Sequence, residues 1–211
     1  MNMLPGMWKR NWVLVLPVAG LGIGYLLLLG RMLWGDVSSL AAAKSAPSTP
    51  ARAAIALWDA YGQARAAAQA QATDAQLVSA SAQWQAASEE MLLNGASAWT
   101  FVFYSPAGGY SLDVVASAEA ARAVNQAQVW VAPQMMLAES AWQAGPREAL
   151  LVFLAYGGRT FLDGHPQAVV DLHLAGDAQG KPVWAIVALD PEERSLLPLL
   201  IDAETRQVLP E

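Results

Sequence analysis

Nineteen consecutive uncharged residues, Trp12 to Gly30, constrain this chain more than any other feature. At 1.5 Å rise per residue a helix over them spans roughly 28 Å, close to the hydrocarbon thickness of a bilayer. One transmembrane crossing is expected, an anchor over residues 12–34. Trp12 and Trp34 stand near its two ends, where indoles favour the headgroup region, and Arg31 can snorkel outward from the far end. Lys9 and Arg10 precede the span, whereas Arg31 is offset by Asp36. The positive-inside rule therefore puts residues 1–11 in the cytoplasm and the rest of the chain outside, at the cell (plasma) membrane. A cleavable signal peptide is the rival reading, since Leu40-Ala41-Ala42-Ala43 offers a small-residue processing site. Against it, the apolar run exceeds the usual signal core of about 7 to 15 residues, and Arg31 intervenes. Within the span, Gly20 and Gly24 lie one turn apart with Gly22 between, a surface on which a second helix can approach closely.

Charge divides along the chain. Residues 1–36 hold three basic side chains against Asp36, a net of +2, so a whole-chain charge of −6 leaves −8 on residues 37–211. Such a surface is repelled by phosphate backbones, which excludes nucleic acid as a partner, and by anionic lipid beyond the anchor itself. With no cysteine there are no disulfides, thiolate metal sites, iron–sulfur ligation or cysteine nucleophiles.

Residues 35–50 are dominated by Ser, Ala and Pro with no apolar period, and read as a tether. Beyond it the fold is expected to be α+β, two helix-plus-antiparallel-meander units over residues 51–125 and 126–211. The first opens with a helix from Pro50 to about Ala72, with Ile55, Trp58 and Tyr61 on one face. Strands follow over Leu77 to Trp84, Ala98 to Tyr104 and Tyr110 to Ala116, the last two a hairpin turned by Ser105-Pro106-Ala107-Gly108-Gly109. The second opens with a helix from Pro133 containing Trp142, has helical turns from Pro146 to about Ala155, and then strands over Val169 to Leu174, Pro182 to Leu189 and Leu196 to Asp202. An offset of 85 superimposes Trp99 on Trp184 and Ala118-Glu119 on Ala203-Glu204, which suggests internal duplication.

The ending Leu200-Ile201-Asp202-Ala203-Glu204-Thr205-Arg206-Gln207-Val208-Leu209 resembles the closing strand–turn–strand of PepSY domains. The match covers about 75 C-terminal residues, with a degraded copy before it, and Arg206 stands where that family usually has Gly. The resemblance implies a cystatin-like plan and a small extracytoplasmic, periplasmic module of a bacterial protein, binding or inhibitory in role and in some cases regulating a protease. It carries no catalytic residues.

The residues themselves offer little chemistry. The two histidines occur in Asp163-Gly164-His165 and Asp171-Leu172-His173, and the repeated Asp-x-His spacing invites a metal reading. Tetrahedral closure needs further ligands, so no metal and no cofactor is expected. Gly-x-Ser-x-Gly, phosphate-loop, dinucleotide and EF-hand motifs are absent. Glu89-Glu90 and Glu192-Glu193 read as solvated surface. Trp58, Trp84, Trp99, Trp142 and Trp184 fall at amphipathic positions and are expected in the core, while Trp130 belongs either at the junction of the repeats or at a partner surface.

The chain is thus expected to be no enzyme but an accessory or structural subunit, joined to other membrane-protein subunits through its helix and outer region. The alternative is a regulatory or ligand-sensing module of PepSY type. A reporter fused after Glu211 is expected to be active only outside the cytoplasm; cytoplasmic activity would reverse the orientation.

Overall fold

The computed structural model describes residues 53–133 and 135–210. The terminus, anchor and tether, residues 1–11, 12–34 and 35–50, lie outside them, with Lys9, Arg10, Trp12, Gly20, Gly22, Gly24, Arg31 and Trp34. Among the described residues no helix is long and apolar enough to cross a membrane.

Helix α1 (Leu57–Gln69) buries Leu57, Ala60, Tyr61, Ala64 and Ala68, a stripe at helical spacing. Three of the five are alanines, so the helix backbone can approach the sheet closely. Strand β1 (Gln76–Trp84) and the short helix α2 (Glu89–Asn94), capped by the Ser88 hydroxyl, come next. Strands β2 (Ala98–Ser105), β3 (Tyr110–Ser117) and β4 (Ala121–Gln128) then form an antiparallel meander. In β2 the alternation predicted from sequence is realised: Trp99, Phe101 and Phe103 are buried together under α1, where Tyr61 meets the rings of Phe101 and Phe103.

Helix α3 (Pro146–Phe153) begins on a proline suited to its first turn. The chain kinks over Leu154–Gly158 and resumes as α4 (Arg159–Gly164). The kink needs its glycines: Gly157 has φ +108°, and a Cβ on Gly158 would lie 2.5 Å from the Phe153 ring and 2.7 Å from its carbonyl. Strands β5 (Val169–Gly176), β6 (Pro182–Asp190) and β7 (Ser195–Asp202) complete the fold.

The expected fold class is corrected here. All seven strands belong to one antiparallel sheet of order β4-β3-β2-β1-β5-β6-β7, with a few short helices, instead of two helix-plus-meander units. The cause lies at the seam, where β1 pairs antiparallel with β5 from Ala80↔Leu174 to Trp84↔Val170. Each strand has an edge that would otherwise present unpaired backbone groups, and each satisfies the other.

The helix expected from Pro133 is also absent. Among the described residues, 129–133 and 135–145 form a strap outside any strand, with a single helical turn at Glu139–Ala141. Its backbone groups bond to the sheet and its turns: Val129 N–H to Gly109 O at 3.0 Å, Leu137 N–H to Leu77 O at 2.7 Å, Ala144 N–H to Ala203 O at 2.8 Å. A helix here would forfeit those anchors.

Two buried indoles fasten the pre-helix segments to the sheet. Trp99 Nε1–H donates to Ile55 O at 3.3 Å, just ahead of α1, and Trp184 Nε1–H donates to Ala144 O at 2.9 Å, just ahead of α3. Replacing Trp184 with Phe keeps an aromatic ring but removes the donor from a buried carbonyl. Stability is expected to fall by about 1–3 kcal/mol in urea unfolding. Trp130→Phe, at an exposed site, is expected to stay within about 0.5 kcal/mol of the parent.

Candidate interaction site

The sheet has two unlike faces. Directly opposed residues project to the same side, so the register assigns each side chain. One face carries Phe101, Val114, Ala80, Leu172, Trp184 and Ile186, all buried. On the other face Ser81 lies opposite both Thr100 and His173, and Gln83 lies opposite Asp171. That polar band follows the β1–β5 seam.

Beside the band the character changes. Ala185↔Leu200, Val187↔Pro198 and Leu189↔Leu196 make an apolar patch on β6 and β7. Leu196 and Leu200 are 58% and 40% exposed. At the end of β7, Ile201 bridges Val208 and Leu209 N–H bonds to Leu200 O at 2.9 Å, so the C-terminal segment pairs part of that edge. The opposite edge, β4, is polar, mostly exposed and bulged at Val124, features that discourage strand addition.

Burial acts on the ionisable groups of the polar band. Asp171 is raised above the ordinary carboxylate range by desolvation, which outweighs the bond it accepts from Gln83 Nε2 at 2.7 Å. His173 is lowered, again by desolvation. In both cases burial disfavours the charged form relative to the unfolded chain.

A second feature is an open groove beside α1, lined by Ala54, Ile55, Trp58, Asp59, Gly62 and Ala118 among others. Trp58, expected in the core, is 49% exposed and lies flat on the buried Trp142 ring, centroids 4.4 Å apart. Tyr61 packs edge-on to both. Its hydroxyl donates to Glu139 at 3.0 Å, and Arg65 pairs with the same carboxylate. Desolvation first, then the hydrogen bond to Glu139, pushes the Tyr61 hydroxyl up to about 12. The Trp142 indole N–H is buried without a hydrogen-bond partner.

The other residues singled out from sequence are scattered. Trp84, Trp99, Trp142 and Trp184 are buried, whereas Trp130 is 94% exposed beside exposed Val131, packed in neither core nor junction. Glu89 is engaged by Arg159 through two bonds of 2.6 Å, which hold its carboxyl below the usual range. The two Asp-x-His pairs do not converge: His173 is on β5, while His165 lies at the end of α4 beside Glu193. Sequence reasoning missed the apolar patch, although the strict alternation of Leu196, Pro198 and Leu200 with inward Leu197, Leu199 and Ile201 was its available sign.

The chain matches no protein-family profile, no curated protein and no solved structure.

The two shifted groups give opposite pH dependences. Asp171 takes up a proton more readily folded than unfolded, so its contribution is greatest below the unfolded carboxyl range and is lost as pH rises through its folded value. Asp171→Asn is expected to raise stability at pH 7 and to leave it unchanged at about pH 3, in urea titrations at both values. For His173 the unfolded value near 6.5 is the higher one. Its contribution is present above that pH and is lost as pH falls toward the folded value, and His173→Gln is expected to flatten this part of the profile.

Proposed function

We propose that this chain is a non-catalytic, membrane-anchored interaction protein, an accessory or structural subunit of a larger membrane complex. The observation that carries the reading is the apolar patch of β6 and β7. Leu196, Pro198 and Leu200 stand exposed on a sheet face, beside a polar band in which Asp171 and His173 are half-buried. A face of this kind suits the dry centre of a protein interface better than a solvated surface. The partner is another protein subunit. Nucleic acid is disfavoured by the charge of −8 on residues 37–211.

The anchor adds a second point of attachment. Helix association in lipid depends on close backbone approach and dispersion contacts, so small residues on one stripe are what it needs. Gly20, Gly22 and Gly24 provide them, with Lys9, Arg10, Trp12, Arg31 and Trp34 setting the depth and orientation of the span. The N-terminus is then cytoplasmic and the sheet extracytoplasmic.

A second reading, a regulatory or ligand-sensing module, is favoured by the groove beside Trp58. Its half-exposed indole face, with Asp59 and Gln63 nearby, is a platform for a planar or apolar ligand group.

Co-purification of the tagged native chain from mild detergent separates the possibilities. Gly20→Leu/Gly24→Leu is expected to insert normally and to lose its co-migrating subunit. Leu196→Asp/Leu200→Asp is expected to weaken the same association at least tenfold without unfolding the sheet. Full retention of the partner by the second variant removes the observation on which the proposal rests. Loss of a partner in Trp58→Ala alone would favour the ligand-sensing reading.

A further inference from the structure

The strongest convergence of chemistry among the described residues lies where α4 ends against the β6–β7 turn. His165 follows α4, and its Nδ1 lies 2.8 Å from Phe161 O. A carbonyl only accepts, so the proton of the neutral ring sits on Nδ1 and the Nε2 lone pair points away from the helix. The imidazole is also stacked on the Phe161 ring, centroids 4.2 Å apart at 22°. Tautomer and ring plane are both set.

Two carboxylates lie close to the ring. Glu193 Oε2 is 3.3 Å away. Asp190 is only 4% exposed and accepts the backbone N–H groups of Glu192 and Glu193 through its Oδ1, at 2.8 and 3.1 Å. One ligand atom from each of His165, Asp190 and Glu193 lies within 4.8 Å of the other two.

Three acceptors drawn together at one point form a set that a divalent metal can bond to at once, whereas a proton on Nε2 is shared with one carboxylate only. We infer that His165, Asp190 and Glu193 form a zinc site that clamps the end of α4 to the β6–β7 turn. One imidazole nitrogen and two carboxylate oxygens make a three-ligand set with a fourth position open to water. The imidazole argues against calcium and magnesium, which prefer oxygen alone. The Nδ1–H bond to a backbone carbonyl is the usual support for a metal-bound histidine. Ligand atoms around zinc are roughly 3–3.5 Å apart, given bonds of about 2.0–2.2 Å. The exposed Glu193 side chain can close the remaining gap.

The sequence offered only Asp163 and Asp171 as partners for the histidines. The actual carboxylates come from a turn more than twenty residues further along the chain.

The full-length chain in mild detergent, stripped with chelator, is to be titrated with zinc chloride by calorimetry. One zinc per chain is expected, with a rise in unfolding temperature. Glu193→Gln and His165→Gln, which remove direct ligands, are each expected to weaken binding by at least the roughly 10- to 100-fold typical of losing an outer-shell partner, while Glu204→Gln leaves it unchanged. Absence of stoichiometric zinc overturns the site. Binding that survives His165→Gln with full affinity overturns it as well, by locating the metal elsewhere. If His165→Gln fails to fold, the exposed Glu193→Gln still decides, since unchanged affinity in that variant also refutes the assignment.

Discussion

The pairing of β1 with β5 is the constraint on which the rest of the structure depends. Each strand is the inner edge of its own meander, and neither can stay unpaired without exposing a row of backbone donors and acceptors. Once they join, the large residues of both meanders lie on one face: Trp99, Phe101 and Phe103 from one, Leu172, Leu174, Trp184 and Ile186 from the other. Helices α1 and α3 then cover a common core. The small side chains of β1, with Ala80 between Phe101 and Leu174 and Ala82 opposite Leu172, let these large neighbours fill the centre.

That arrangement explains why the two faces differ. The covered face takes Trp99, Phe101, Phe103 and Trp184, whereas the other carries the polar side chains along the seam. Asp171, His173, Ser81 and Gln83 sit there at the seam, with a purely apolar patch beside them. The faces are thus separated by chemistry as well as by burial, and only the uncovered one combines exposed leucines with partly desolvated polar groups. An interface built on it would be apolar toward β7 and hydrogen-bonding toward the seam.

Local structure was legible where side-chain period and turn chemistry agreed. β2, β3, β5, β6 and β7 follow from alternation bounded by Gly, Pro and Asp turns. The first helix was read from Ile55, Trp58 and Tyr61, yet the buried stripe runs through Leu57, Ala60, Tyr61, Ala64 and Ala68. Alanines make most of the contacts on that stripe, and Trp58 stays half outside. The strap defeated sequence reasoning for another reason: Pro133 and Trp142 suit a helix start, but the bonds that keep the segment extended come from Leu77, Gly109 and Ala203, far away in the chain. Sheet continuity was illegible because nothing local in β1 names β5 as its neighbour. The grouping of His165 with Asp190 and Glu193 was hidden in the same way.

The distance along the chain between β1 and β5 also bears on how the protein is made. A chain emerging from its N-terminus can close α1 and the first meander on local contacts, but Ala80 has no partner on its second side until Leu174 has followed. Until then β1 is a bare edge of small residues beside a half-covered aromatic core, and closing the seam requires ordering a long intervening loop. Such an intermediate can recruit a strand from a neighbouring copy as readily as its own. The strap that follows β4 and bonds to Leu77 at the start of β1 arrives before β5, so the nascent edge is partly occupied during the interval when mispairing is most costly.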